Sequence, residues 1–192
     1  KTLKEIADFI NGLWKGKKPP FIEVGVIRNT NFINDGTIND KDIAYLNVER
    51  KQYATRRLQY GDLILERSGG SPKQPVGRVV FFDKKIGEFS FSNFTSLIRA
   101  KKEIIHPKFL LYFLLNFYKL GNTERLQKRT TGIRNLDFNE YKQTIINFPD
   151  LSLQKQIAQI LSTLQSKVEL VDKQIKLYEE LKKSTMGKLF SE

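Results

Sequence analysis

The 192-residue sequence predicts an α+β chain: a mixed, mostly β domain with flanking helices over residues 1–150, then a long C-terminal helix of coiled-coil type over 151–192. Three observations predict it. Between Phe21 and Arg99, short runs of β-branched and aromatic residues are separated by glycine and polar turns, the pattern of strands. From Phe109 to Phe117 apolar residues recur at helical spacing. Beyond Ser152 no proline and no glycine except Gly187 interrupts the chain, and apolar positions alternate four and three apart.

The elements follow in order. Leu3, Ile6, Ala7, Phe9 and Ile10 sit at helical spacing, and Asn11-Gly12 supplies a left-handed stop, so a short helix is expected there. Pro19-Pro20 keeps the next loop extended, and Phe21 to Ile27 reads as a strand. Asn34-Asp35-Gly36-Thr37 is a hairpin-type turn because aspartate and glycine tolerate positive φ. Further strands are expected at Asp62–Leu65, Gly77–Phe82 and Phe89–Arg99. Pro107 suits a first helical turn, and Phe109, Leu110, Phe113, Leu114 and Phe117 form an apolar face that ends at Gly121, with His106 in a capping role. A boundary between elements falls at Asp150. With Ser152 as N-cap, the last helix would run to Phe190, roughly 58 Å at 1.5 Å per residue.

That length exceeds what a small domain needs to cover its core. Leu161, Leu164, Val168, Val171, Ile175 and Tyr178 make a narrow apolar seam with charged flanks, which favours association with a second helix over one amphipathic helix lying on its own domain.

Lys and Arg number 33 against 21 Asp and Glu, a net charge of +12. Seven lysines against five acidic residues leave +2 from Leu151 onward and +10 for residues 1–150, so the basic surface belongs to the globular part. Such a charge favours a polyanionic partner, nucleic acid or anionic lipid. The absence of cysteine excludes disulfides, a thiol nucleophile and cysteine-ligated metals, and the single His106 cannot build a multi-histidine site. No apolar run near the N-terminus is long enough for a signal peptide or a membrane span, which makes a soluble cytoplasmic protein the expectation.

Enzymatic signatures fail one by one. Asn147-Phe148-Pro149-Asp150 lacks the asparagine-proline-proline-aromatic order of an adenine methyltransferase loop. Asp150 and Glu180-Leu181-Lys182 would lie about 45 Å apart on a straight helix, too far for one nuclease centre. Ser68-Gly69-Gly70-Ser71-Pro72-Lys73 is not a phosphate-binding P-loop and reads instead as backbone that lets a ligand approach closely. Two basic stretches remain, Arg50 to Arg78 and Gly121 to Asn135. Arginine forks can address guanine edges and asparagine can address adenine, while lysines mostly hold phosphates. The candidate DNA contacts are therefore Arg67, Ser68, Lys73, Arg78, Lys128, Arg129, Arg134 and Asn135, and no catalytic or metal-ligating residue is expected.

Tyr60-Gly61-Asp62-Leu63-Ile64-Leu65-Glu66-Arg67-Ser68-Gly69, followed by Val76-Gly77-Arg78, resembles the target recognition domains of type I restriction-modification specificity subunits. The similarity continues through His106-Pro107-Lys108-Phe109-Leu110, Thr131-Gly132-Ile133-Arg134-Asn135-Leu136 and Gln154-Lys155-Gln156-Ile157-Ala158-Gln159-Ile160-Leu161, the last like the entry into that family's spacer helix. Leu153 departs from the family's usual glutamate, and one unit stands where a complete subunit has two in tandem.

The resemblance implies a target recognition domain over 1–150 and a spacer or dimerisation helix over 151–192. It further implies double-stranded DNA as ligand, with adenine-DNA methyltransferase subunits, a restriction and translocase subunit and a second copy of the chain as partners. S-adenosylmethionine, ATP and Mg would sit on those partners and no cofactor on this chain. The alternatives are the specificity portion of a fused restriction-methylation enzyme whose catalytic domains are absent, and an RNA-binding or membrane-associated module using the same charge.

Overall fold

The computed structural model describes residues 1–14, 16–71, 74–130 and 133–190, without the side chains of Arg129 and Thr130. In chain order the helices are α1 (Leu3–Ile6), α2 (Arg50–Arg56), α3 (Pro107–Lys119), α4 (Phe138–Lys142) and α5 (Leu151–Phe190). The first strands are β1 (Ala7–Asn11), β2 (Phe21–Ile27), β3 (Ala44–Glu49), β4 (Leu63–Glu66) and β5 (Ser68–Gly70). Then come β6 (Val79–Phe81), β7 (Phe89–Phe91), β8 (Thr95–Ala100), β9 (Gln127–Thr130) and β10 (Ile133–Leu136). Among the described residues they form three sheets, ordered β1-β8-β4-β6, β3-β2-β7 and β5-β10-β9. The chain is thus the α+β type predicted, with a long terminal helix.

The four-stranded sheet organises the core because both of its faces are covered. Leu63, Leu65 and Ile98 point into one cluster with Leu110, Leu111, Leu114 and Leu115 of α3, while Ile64, Val80 and Leu97 point into another with Phe82, Phe89 and Phe91. That is the period of two that strand geometry imposes. It explains why Leu63 to Glu66 are all buried and why Leu63-Ile64-Leu65 reads as a continuous apolar run. A third cluster, Leu13, Val24, Val26, Val48 and Tyr53, lies between β2, β3 and α2.

Two expectations are corrected. The helix expected up to Ile10 stops at Ile6, because Ala7–Asn11 pairs antiparallel with β8 from Ala7 opposite Ala100 to Asn11 opposite Ser96. As a strand it sends Phe9 to the first core cluster and Ile10 to the second, which one helical face could not do. The single strand expected over Phe89–Arg99 is two. A turn at Ser92, where Thr95 donates from its amide (3.0 Å) and its hydroxyl (2.8 Å) to the Ser92 carbonyl, sends β7 parallel to β2 and β8 into the other sheet.

The turn at Asn34–Thr37 forms as read: the Asp35 Oδ1 accepts from the Thr37 amide at 2.8 Å and hydroxyl at 2.6 Å, and Gly36 adopts φ +93°.

The chain divides into two units, Lys1–Lys155 and Gln156–Glu192. The first extends five residues past the expected boundary at 150, because the fully buried Gln154 ties the start of α5 to it. Its Oε1 accepts from the His106 amide at 2.8 Å, and its Nε2 donates to the carbonyls of Pro149 (2.8 Å) and Ile104 (3.2 Å). The α5 N-terminus is capped by Asp150, whose Oδ1 accepts from the Leu153 amide at 3.0 Å, and Ser152 falls inside the first turn instead of capping it. The second unit is the rest of α5; the whole helix has 40 residues and a length of roughly 60 Å. No helix among the described residues is long and apolar enough to cross a membrane.

Candidate nucleic-acid interface

Strand pairing joins the two basic stretches. β5 runs antiparallel to β10, with Ser68 opposite Asn135 and Gly70 opposite Arg134, and β10 returns along β9 with Lys128 opposite Asn135 and Arg129 opposite Arg134. Ser68, Lys128, Arg134 and Asn135 therefore share one small sheet. Gly69, at φ +98°, lets the Asn29 loop come close; a Cβ there would lie 2.8 Å from the Asn29 Nδ2. Lys73, the Arg129 side chain and the Thr131-Gly132 segment lie outside the described residues.

The candidate side chains differ in how free they are. Arg134 is half-buried and makes no side-chain hydrogen bond or ion pair among the described residues. Lys128 is exposed and lies 2.5 Å from the Asp137 carboxylate, which also accepts from the Asn139 and Glu140 amides and so caps α4. The pair holds the Lys128 ammonium above its usual range and the Asp137 carboxyl below its own. Solvent screens it, so Lys128 can exchange this partner for a phosphate at small cost.

Arg67 is held in place. Its Nη1 donates to Asn11 Oδ1 at 2.6 Å and Ser96 Oγ at 3.3 Å, and its guanidinium stacks 4.3 Å from the centroid of the Phe138 ring. Burial lowers its pKa, and its Nε has no partner among the described residues. Asn11 also accepts from Arg56 Nε through its carbonyl at 3.0 Å, so Arg56, Asn11 and Arg67 form a continuous polar line from α2 to the start of β5.

Arg78 occupies a different environment from the expected one. Its Nε and Nη2 grip both oxygens of Glu66 at 2.8 and 2.7 Å, and its other bonds go to the carbonyls of Asn29 (3.1 Å) and Phe32 (3.3 Å). The Arg78 side chain is 11% exposed and that of Glu66 2%. A guanidinium committed to four internal acceptors braces the β4–β6 end of the sheet. The side chain expected to face DNA is thus turned onto acceptors of its own domain.

Sequence reading missed a cavity of about 380 Å³ beside this sheet, walled by Leu13, Val26, Leu46 and Val48 and rimmed by Arg28, Asn29 and Phe94. Asn29 Nδ2 reaches the Ser68 carbonyl at 3.3 Å, and the Phe94 carbonyl accepts from the amides of Arg67 (2.9 Å) and Ser68 (3.2 Å), so the cavity's rim and β5 are one structure. Arg28 Nε and Ser92 Oγ are buried there without partners among the described residues. Trp14, Tyr45 and Phe94 stand exposed. The usable signal was Trp14 followed by Lys15, Lys17 and Lys18, an aromatic next to a basic run. Among the described residues no three His, Asp or Glu side chains cluster as metal ligands would.

Residues 1–181 match the family model of the type I restriction modification DNA specificity domain. The chain belongs to that family. The specificity domain is 28% identical over its full length to the putative type I restriction enzyme MjaX specificity subunit of Methanocaldococcus jannaschii, of which the match covers 45%. It is 27% identical, over 97% of its length, to the MjaVIII specificity subunit of the same organism, with 41% of that protein covered. Among solved structures it resembles the S subunit of a type I restriction-modification system from M. genitalium (TM-score 0.61, 19% identity, 100% of this chain and 45% of that one). It also resembles the HsdS subunit from Thermoanaerobacter tengcongensis (TM-score 0.57, 16% identity, 90% and 38% covered). These structural likenesses establish the fold. The specificity domain spans less than half the length of these relatives.

Proposed function

We propose that the domain over residues 1–155 reads one part of a duplex DNA target through the β5-β10-β9 sheet and its neighbours. The observation that carries this reading is the pairing of Ser68 with Asn135, which makes one surface of two basic stretches far apart in sequence. Arg134, Asn135 and Ser68 are the base-reading candidates, with Lys128, Arg129 and Lys73 on phosphates and Arg67 in its stacked position beside them. The reading assigns adenine methylation and cleavage to partner subunits that bring S-adenosylmethionine, ATP and Mg, in the cytoplasm. It assigns the α5 seam to a second helix, supplied by another copy or by a matching unit, that sets the distance between two half-targets. The apolar seam from Leu161 to Tyr178 supports this, since each of its six side chains is at least one-third exposed.

The test is binding of the chain to a randomised pool of duplexes, followed by affinity measurement on the selected sequence. Arg134→Ala should weaken that duplex by about 1–3 kcal/mol, the worth of a good base contact, and relax preference at one position. Lys128→Ala should weaken all duplexes alike and flatten the salt dependence. Equal affinity for every duplex in the pool, or undiminished binding by both variants, rules the reading out.

A further inference from the structure

A second cavity of about 380 Å³ opens at the Tyr60–Gly61 turn, where β4 begins. The candidate DNA surface starts at the other end of β4, separated from it by roughly 13 Å of strand. Three lysines from separate elements border the cavity: Lys102 after β8, Lys108 in the first turn of α3 and Lys155 near the start of α5. None of the described residues lining it is acidic. His106 joins them, with its Nδ1 buried and without a hydrogen-bond partner among the described residues. Burial first, then the charges of Lys155 and Lys108, hold this imidazole below its usual pKa.

Lys102 and Lys155, both exposed and with no carboxylate among the described lining residues, give the hollow a positive field that favours an anion, and the imidazole of His106 beside them can add a hydrogen bond. The rest of the wall is Tyr60 and Phe81 with Gly61 and Pro107. Tyr60 and Phe81 meet edge to face with centroids 5.7 Å apart. The volume falls in the lower part of the range of small-molecule sites, roughly 300–1,000 Å³. A flat ring beside a phosphate group satisfies both halves of the lining.

We propose that this cavity binds a nucleoside phosphate, its phosphate held by Lys102, Lys155 and His106 and its base placed against Tyr60 and Phe81. The site stands on observations independent of the DNA surface.

Titration calorimetry of the whole chain with adenosine 5′-monophosphate, inorganic phosphate and adenosine as probes tests it. The monophosphate should bind, inorganic phosphate should compete more weakly, and adenosine should bind least. Lys102 and Lys155 are exposed, so Lys102→Ala with Lys155→Ala leaves the fold intact, as an unchanged urea midpoint would verify. The double variant should lose monophosphate affinity by about a hundredfold, a factor of ten for each charge-assisted bond, while duplex affinity stays that of the parent. His106 is the chain's one histidine, so its ring protons report the site by NMR without assignment, and the bound phosphate should move their titration to higher pH.

The proposal is overturned if none of the probes binds the parent at about 1 mM, or if the variant binds the monophosphate as the parent does. Loss of duplex affinity in a variant whose parent ignores the monophosphate also overturns it, and makes the lysines DNA phosphate contacts.

Discussion

Arg78→Ala tests the assignment of this arginine as a brace. The substitution deletes two hydrogen bonds to Glu66 and one each to the carbonyls of Asn29 and Phe32. Glu66, with its side chain 2% exposed, keeps only the Asn29 Nδ2 contact at 3.3 Å among the described residues. Removing one partner of a buried pair leaves the other charge without compensation, which costs about 3–5 kcal/mol. For a domain of this size that corresponds to a fall in Tm of roughly 6–20 °C. Urea unfolding followed by circular dichroism measures it. Arg78→Lys should fall in between, since an ammonium keeps the charge and cannot fork onto both oxygens. Combining Arg78→Met with Glu66→Leu should recover more than half of the loss, because no buried charge then remains. Under conditions where the Arg78→Ala protein is folded, its duplex affinity should equal the parent's. A single variant as stable as the parent but weaker on DNA would refute the brace and return Arg78 to the binding surface.

Tyr141 is fully buried, and its hydroxyl finds no hydrogen-bond partner among the described residues. Tyr141→Phe should therefore match or exceed the parent in stability at pH 7, by about 1 kcal/mol at most. Burial raises the folded-state pKa of this phenol. Its contribution to stability is thus complete below the unfolded value near 10 and is lost as pH rises above it, so the advantage of the Phe variant should widen in alkaline melts; a constant difference from pH 7 to 11 would contradict the burial. For α5, sedimentation equilibrium should show self-association of the parent and a monomer for Val168→Asp with Val171→Asp, which places charges in the apolar seam. A parent that stays monomeric at high concentration removes self-pairing through this seam.

The sequence by itself determined the elements whose signals are local. Strand Phe21–Ile27, the Asn34–Thr37 turn, helix α3 between Pro107 and Gly121, and the uninterrupted helix beyond Asp150 each follow from residues within one short window: β-branching, positive-φ residues, a proline at the first turn, an apolar period. The basic balance of residues 1–150 and the lack of cysteine were equally plain. Tertiary structure decided whatever depends on a distant partner. Ala7–Asn11 has a helical pattern and became a strand because β8 offered it a ladder of backbone groups. Ser68 and Asn135 lie far apart in sequence, and only the β5–β10 pairing makes them neighbours. Arg67 and Arg78 look alike in sequence, each an arginine near glycine. One rests on Phe138 beside Asn11 and the other is locked to Glu66, because a guanidinium goes wherever the fold has placed an acceptor or a ring, and no local window contains that information.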